Sequence, residues 1–399
     1  MDEVPQWTNA QASRKPAWGA VVSMALGVFG LVTAEFLPAS LLTPMALDLG
    51  VSEGMAGQAV TATAVVGLLT SLLVSAATRS IDRRYVLLGF TLLLIGSNLM
   101  VAFAPNIAVL LTGRVLLGIG LGGFWTMSTA VAMRLVPDAL VPRALSMIVS
   151  GVAAATIVAA PVGSYVGDMF GWRSVFVLAT ALGVITFVVQ FATLPNLAPN
   201  AATRLRTLVD VLVRPGVGLG LLAAMLVFAG HFAFFTYIRP HLENITDASI
   251  TAVSGILLGF GLANFLGSLF GGLLVERSLR RTLMTVPLVM SVLGFGLVSA
   301  GSMPAASAVM IALWGLAFGA VPVGWSTWLA RTVPDQAESA GGLLVAAIQL
   351  AIAIGAAGGG LIFDISGAQG VFSVASIVLV LAAVMIFIGV RPRAVAAAA

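Results

Sequence analysis

The chain has 399 residues, 60% of them hydrophobic and only 9% charged, with 44 glycines, no cysteine and a net charge of +4. A soluble domain carries roughly a quarter of its residues as charges, so most of this chain's solvent is lipid. The lack of cysteine excludes disulfides, thiolate metal sites and cysteine nucleophiles. The arginines lie in short loops, where they act as topology determinants rather than as a nucleic-acid surface.

Residues 1–16 form a polar tail without a cleavable signal pattern, because the apolar run that follows is too long for an h-region. About twelve apolar segments follow, each near the ~20 residues a membrane helix needs. They run Ala17–Leu42, Gly54–Ala77, Tyr85–Phe103, Ile107–Met133, Ala144–Val166 and Trp172–Phe191. After the inner linker come Gly216–Ile238, Ser249–Val275, Leu283–Gly301, Ala305–Ala330, Ser339–Phe363 and Val371–Val390. The expected fold class is an all-α membrane protein of two pseudo-symmetric six-helix bundles, at 17–192 and 215–390, joined by a cytoplasmic linker at 193–214. A cytoplasmic tail at 391–399 ends the chain.

Orientation follows from the arginines. With both termini inside, only Arg173 and Arg239 fall at outer ends and only Arg114 is embedded; the other basic residues are all inner. That asymmetry is a positive-inside signal. The halves repeat. Arg134-Leu-Val-Pro-Asp138 recurs 197 residues later as Arg331-Thr-Val-Pro-Asp335. Gly163, Asp168 and Gly171 recur 196 residues later as Gly359, Asp364 and Gly367. Parallel six-helix repeats are the architecture of major facilitator transporters, whose sites lie between the halves near the midplane.

The first segment holds Thr33-Ala-Glu35-Phe-Leu-Pro38, a carboxylate at membrane depth. Such a group is costly and is by default a functional candidate. Arg114 in the fourth segment lies at a similar depth, roughly 10–12 Å below the outer surface at ~1.5 Å per residue, and the two are expected to pair or share water. His231 in the seventh segment is the repeat counterpart of Glu35 when the halves are anchored on Pro44 and Pro240. Glu35 is the proton-carrier candidate; the alternative is a structural Glu–Arg pair. For His231 the open roles are substrate contact, packing or proton relay. Phe234, Phe235 and Ile238 share its helix face, and an aromatic wall suits a flat heterocycle. Phe36, Trp125, Ser128, Asn264, Trp325 and Gln349 complete the candidate pocket, the amides because unpaired amides in lipid are expensive. Pro38 and Pro44 are expected to let the outer end of the first segment bend.

Several motifs carry a family resemblance. The inner loop Gly272-x-x-x-Glu276-Arg277-x-x-Arg280-Arg281 resembles the major facilitator signature, with Asp82-Arg83-Arg84 as a shortened copy. These residues form either an inner gate or a plain positive-inside loop. Leu110-x-x-x-Arg114-x-x-x-Gly118-x-Gly120 resembles the embedded-arginine motif, and Gly151 through Ala160-Pro161-Val162-Gly163 the antiporter motif. Gly118-Ile-Gly-Leu-Gly-Gly123 also fits G-x-G-x-x-G, but it lies inside a membrane helix with no strand before it. Phe232-Ala-Phe-Phe-Thr-Tyr-Ile-Arg-Pro240 and Val321-Pro-Val-Gly-Trp-Ser-Thr-Trp328 are more specific. They resemble the drug:proton antiporter branch, and within it the family of bacterial inner-membrane purine ribonucleoside efflux pumps. The resemblance implies an inner-membrane exporter of purine ribonucleosides such as inosine and guanosine, in exchange for protons; the expected oligomeric state, which the resemblance does not fix, is a monomer. It implies no cofactor beyond the proton as coupling ion, and no nucleic-acid partner. The alternatives are a proton-coupled multidrug or sugar efflux antiporter and a proton-independent facilitator. A sensor would need a soluble domain for which the chain has no room, and an enzyme would need a nucleophile or paired carboxylates that do not appear.

Overall fold

The computed structural model describes residues 16–137, 140–199 and 205–389. Arg14, Lys15, Asp138, Arg204, Arg391 and Arg393, all used in the sequence argument, lie outside them. The first half contains α1 (Trp18–Ser40), α2 (Leu42–Leu49), α3 (Glu53–Ala77), α4 (Arg83–Ala102), α5 (Ile107–Leu135), α6 (Val141–Phe170) and α7 (Trp172–Thr193). The linker helix α8 (Leu205–Leu212) leads to α9 (Val217–Thr236), α10 (Ile238–Asn244), α11 (Ile250–Ala300), α12 (Pro304–Thr332) and α13 (Ala337–Gly389). Ten helices among the described residues are long and apolar enough to cross a membrane. The 51-residue α11 and 53-residue α13 are each long enough for two passages. They fold back at Ser278 and at Gly367, whose φ of 65° favours glycine. Twelve crossings result, as the apolar segments predict.

Local chemistry sets the boundaries. Ser52, Asp82, Asn106 and Ser249 each accept a backbone N–H from the first turn of α3, α4, α5 and α11. The two halves break in matching places. α1 gives way to α2 at Leu41, and α9 to α10 at Tyr237, positions 196 residues apart. Pro44 and Pro240 lie just beyond these breaks and have no N–H to offer the carbonyls of Ser40 and Thr236. Pro38, by contrast, stays inside α1 and does not end it. Its missing N–H instead leaves the carbonyl of Ala34 without a helical donor.

The halves meet along two seams, α3 against α13 and α6 against α11, with the break regions of α1–α2 and α9–α10 between them. Small residues bring helices close: a Cβ on Gly118 of α5 would lie 2.6 Å from the carbonyl oxygen of Thr63 in α3. One end of the molecule carries the arginine-rich loops. The other carries Asp48, Asp168, Glu243 and Asp364.

Candidate functional site

The centre lies where α1 faces α9. Glu35 and Phe36 project from α1, and Phe232, Phe235 and Thr236 from α9. With Val60 of α3 they line a small space, with room for about one water molecule. Phe36 meets Phe235 edge-on at 5.4 Å between centroids and Phe232 at 6.5 Å, so the rings touch across the boundary between the halves. Glu35 is 8% exposed. Neither oxygen of its carboxylate has a hydrogen-bond or ion-pair partner among the described residues, and Oε1 is fully buried.

Arg114 reaches this level, as its depth in the sequence predicts, but it does not grip the Glu35 carboxylate. It is completely buried. Its guanidinium donates to the carbonyls of Ala34 (2.7 Å), Ala59 (3.1 Å) and Glu35 (3.4 Å). Of the two expectations, a side-chain pair or shared water, the direct pair is not formed: the arginine is tied to backbone. The physical reason is Pro38, which leaves the Ala34 carbonyl free to accept. Three donors are satisfied by oxygens on α1 and α3, and the carboxylate is left to face the seam.

His231 is 3% exposed. Its Nδ1 accepts the indole N–H of Trp314 at 3.1 Å, and its ring stacks on Phe318 at 3.3 Å, nearly parallel. Phe235 and Phe260 lie parallel on further planes. Packing and a fixed hydrogen bond thus occupy the imidazole, which sits behind Phe232 and Phe235 rather than against the central space.

The remaining candidates divide. Gln349 lies at the α3–α13 seam, with its Nε2 buried and unpartnered beside Gly67. Phe234 is buried in the second bundle, stacked on Trp314 at 3.9 Å and beside Phe372. Trp325 is likewise internal, edge-on to Trp328 and lining a separate small void with Val227 and Pro287. Asn264 donates to the Gly315 carbonyl at 3.4 Å and joins α11 to α12. Ser128 hydrogen-bonds the Phe124 carbonyl one turn back, and Trp125 packs half-buried against the core of the first bundle. These five helix-packing roles follow from one fact: a membrane helix also points large or polar side chains into its own bundle, and sequence spacing does not separate that face from the seam.

At the arginine-rich end Asp82 accepts from the backbone N–H of Arg84 and of Leu197, and so binds the start of α4 to the chain beyond α7. Arg83 donates to Thr78, and Arg84 to the Phe191 carbonyl. Glu276 and Arg277 are exposed at the fold-back of α11, without a hydrogen bond among the described residues. The gating expectation thus meets a carboxylate cap inside one bundle at Asp82 and free charges at Glu276 and Arg277.

Residues outside the candidate set join the halves at the opposite end. Arg239 of α10, 3% exposed, donates to Asp168 of α6 at 2.7 Å, to Glu243 at 2.7 Å, and to the Ser40 carbonyl. That carbonyl is the one Pro44 leaves free. Asp364 of α13 accepts from Ser52 Oγ at 3.0 Å and from the Gly54 N–H at 3.2 Å. Asp168 and Asp364 are repeat counterparts, and each crosses to the other half. Their recurrence in the sequence is one available signal, and the outer position of Arg239 against the inner bias of the other arginines is another; Ser52 has none. Phe232 and Thr236 were likewise passed over, although they flank His231 and Phe235.

Two bundles related by a repeat, with a site between them, agree with the family comparison. The Major Facilitator Superfamily matches residues 24–241 and 220–398. The chain belongs to that superfamily. As a major facilitator protein it is a multi-pass membrane transporter, not an enzyme. It is 43% identical over 390 residues to proteins named purine ribonucleoside efflux pump NepI in Salmonella typhimurium and Salmonella typhi, covering 98% of this chain and 98% of each relative. In fold it is similar to a D-xylose-proton symporter, with a TM-score of 0.77 at 16% identity over 94% of this chain and 98% of that one. A bacterial homolog of the human lysosomal transporter Spinster, in an inward-facing and unoccupied conformation, gives a TM-score of 0.75 at 14% identity, covering 94% and 98% of the two chains.

Proposed function

We propose that this transporter exports purine ribonucleosides, inosine and guanosine among them, in exchange for protons. It works as a monomer in a bacterial inner membrane with both termini in the cytoplasm. The relatives' name supports the substrate class, and the arginine asymmetry between the two ends supports the orientation. The observation that carries the mechanism is the Glu35 carboxylate. It is buried at the boundary between the halves, lacks a hydrogen-bond partner, and has aromatic rings from both halves beside it. A nucleoside is neutral and flat, so it needs aromatic faces and hydrogen-bonding groups rather than fixed charge.

In this reading the structure stands closed at the acidic end, where Asp168–Arg239 and Asp364–Ser52 tie the halves. Outward opening breaks those ties. Glu35 then takes a proton from outside, and inward opening delivers it as nucleoside binds. One proton entering against a neutral substrate moves one charge, worth about 2.3 kcal/mol per 100 mV.

Labelled inosine and inverted vesicles test this. Uptake driven by an imposed pH gradient, and lost with Glu35→Gln, is the expected result. Nucleoside flux indifferent to the gradient would make the protein a facilitator, and absence of purine flux would remove the substrate assignment.

A further inference from the structure

The central site has an unused acceptor. Oε1 of Glu35 is buried without a hydrogen-bond partner, and Glu35 is one of the residues lining the space between Phe36 and the pair Phe232 and Phe235. Three other polar side chains nearby are already engaged, whereas Gln349 Nε2 at the α3–α13 seam is not. Thr236 Oγ1 donates to the Phe232 carbonyl at 2.6 Å, Arg114 is held by backbone carbonyls, and His231 Nδ1 is taken by Trp314. A flat ring parting Phe36 from Phe232 and Phe235 would stack on aromatic faces, which is a sequence-tolerant interaction. Of the two polar residues lining this space, Glu35 and Thr236, the carboxylate is the one left to choose between bases.

We infer that Glu35, besides any role in proton transfer, selects the base: its ionised carboxylate accepts the N1–H of 6-oxopurine nucleosides, and the N2–H of guanosine as well. This rests on the reading of the protein as a purine nucleoside transporter. The chemistry is that of two parallel N–H···O bonds to a carboxylate, among the strongest neutral-to-charged arrangements available. Adenosine offers an N1 lone pair at the same place, which repels a carboxylate and leaves an oxygen unsatisfied. A buried acceptor denied its donor discriminates strongly. A good bidentate contact to a base is worth about 10- to 100-fold in discrimination. Protonation of Glu35 removes half of the acceptor pair, so the same group that chooses the base also releases it.

The test is equilibrium binding to the purified full-length protein in lipid nanodiscs, using guanosine, inosine, adenosine and 1-methylguanosine at pH 8 and pH 5.5. Guanosine should bind about 10-fold or more tighter than adenosine and 1-methylguanosine at pH 8, and the margin should narrow at pH 5.5. Glu35→Gln should reduce the guanosine-to-adenosine ratio towards unity, because an amide both donates and accepts. Phe36→Leu should weaken all four ligands together and leave the ratio in place. Equal affinity for guanosine and 1-methylguanosine, or a ratio unchanged in Glu35→Gln, overturns the selection role while leaving purine transport standing. If no purine nucleoside binds at either pH, the functional reading fails as well.

Discussion

The two halves hold matching positions with different chemistry. Glu35 and His231 are repeat counterparts, yet Glu35 faces the boundary without a partner while His231 is locked between Trp314 and Phe318. Asp168 and Asp364 are counterparts too. Asp168 meets a buried arginine, and Asp364 meets a hydroxyl and a backbone N–H near the surface. Duplication fixed where these groups sit relative to the breaks in α1–α2 and α9–α10. It left each half free to change what the group does, so one half carries the free acid and the other a fixed ring.

The largest effect expected is at Arg239. Arg239→Gln leaves Asp168 buried without its cation, and breaking a buried pair this way costs about 3–5 kcal/mol. The acidic end should open, which spin-label distances across α2 and α10 would register as a shift to longer separations. Unchanged distances would remove Arg239 from the closure. Next comes Glu35→Gln, which should abolish the roughly 40-fold nucleoside gradient that 100 mV sustains for one proton, measured as steady-state accumulation in inverted vesicles. The contrast with its counterpart is sharp. His231→Phe should keep coupled transport and lower stability by about 1–3 kcal/mol, because the Trp314 N–H loses its acceptor; a thermal melt checks the second part. Loss of coupling in His231→Phe would erase the asymmetry between the halves.

Asp364→Asn should matter less than Arg239→Gln, costing about 1 kcal/mol, since an amide oxygen still accepts from the Gly54 N–H while its NH2 can donate to Ser52 Oγ. Smallest of all is the exposed Arg214–Asp335 pair, joined twice at 2.7 Å. Its hydrogen bonds from Arg214 hold the Asp335 carboxyl below the usual carboxylate range. A lowered carboxyl contributes above its unfolded value and stops as pH falls through the folded one. Melting between pH 7 and pH 5 should therefore show no change attributable to this pair in a comparison with Asp335→Asn.

Much of this organisation is legible in composition and period. Lipid as solvent requires every backbone group to be paired within the chain, so long apolar runs become helices and the arginines collect between them. The depth of Glu35, Arg114 and His231, the breaks near Pro44 and Pro240, and the pairing of positions 196 residues apart need only helical rise and the repeat. What the tertiary structure decided is which partner each group takes. Arg114 passes the carboxylate for carbonyls, because Pro38 leaves Ala34 free on the very face it meets. Arg239 of the second half finds Ser40 and Asp168 across the boundary, in the first half. Phe234 and Trp325 turn into their own bundle while Phe232 turns to the boundary. A periodic sequence places a side chain on its own helix, but hydrogen bonds and ring contacts form between helices. Their rotation and separation depend on all the other contacts at once.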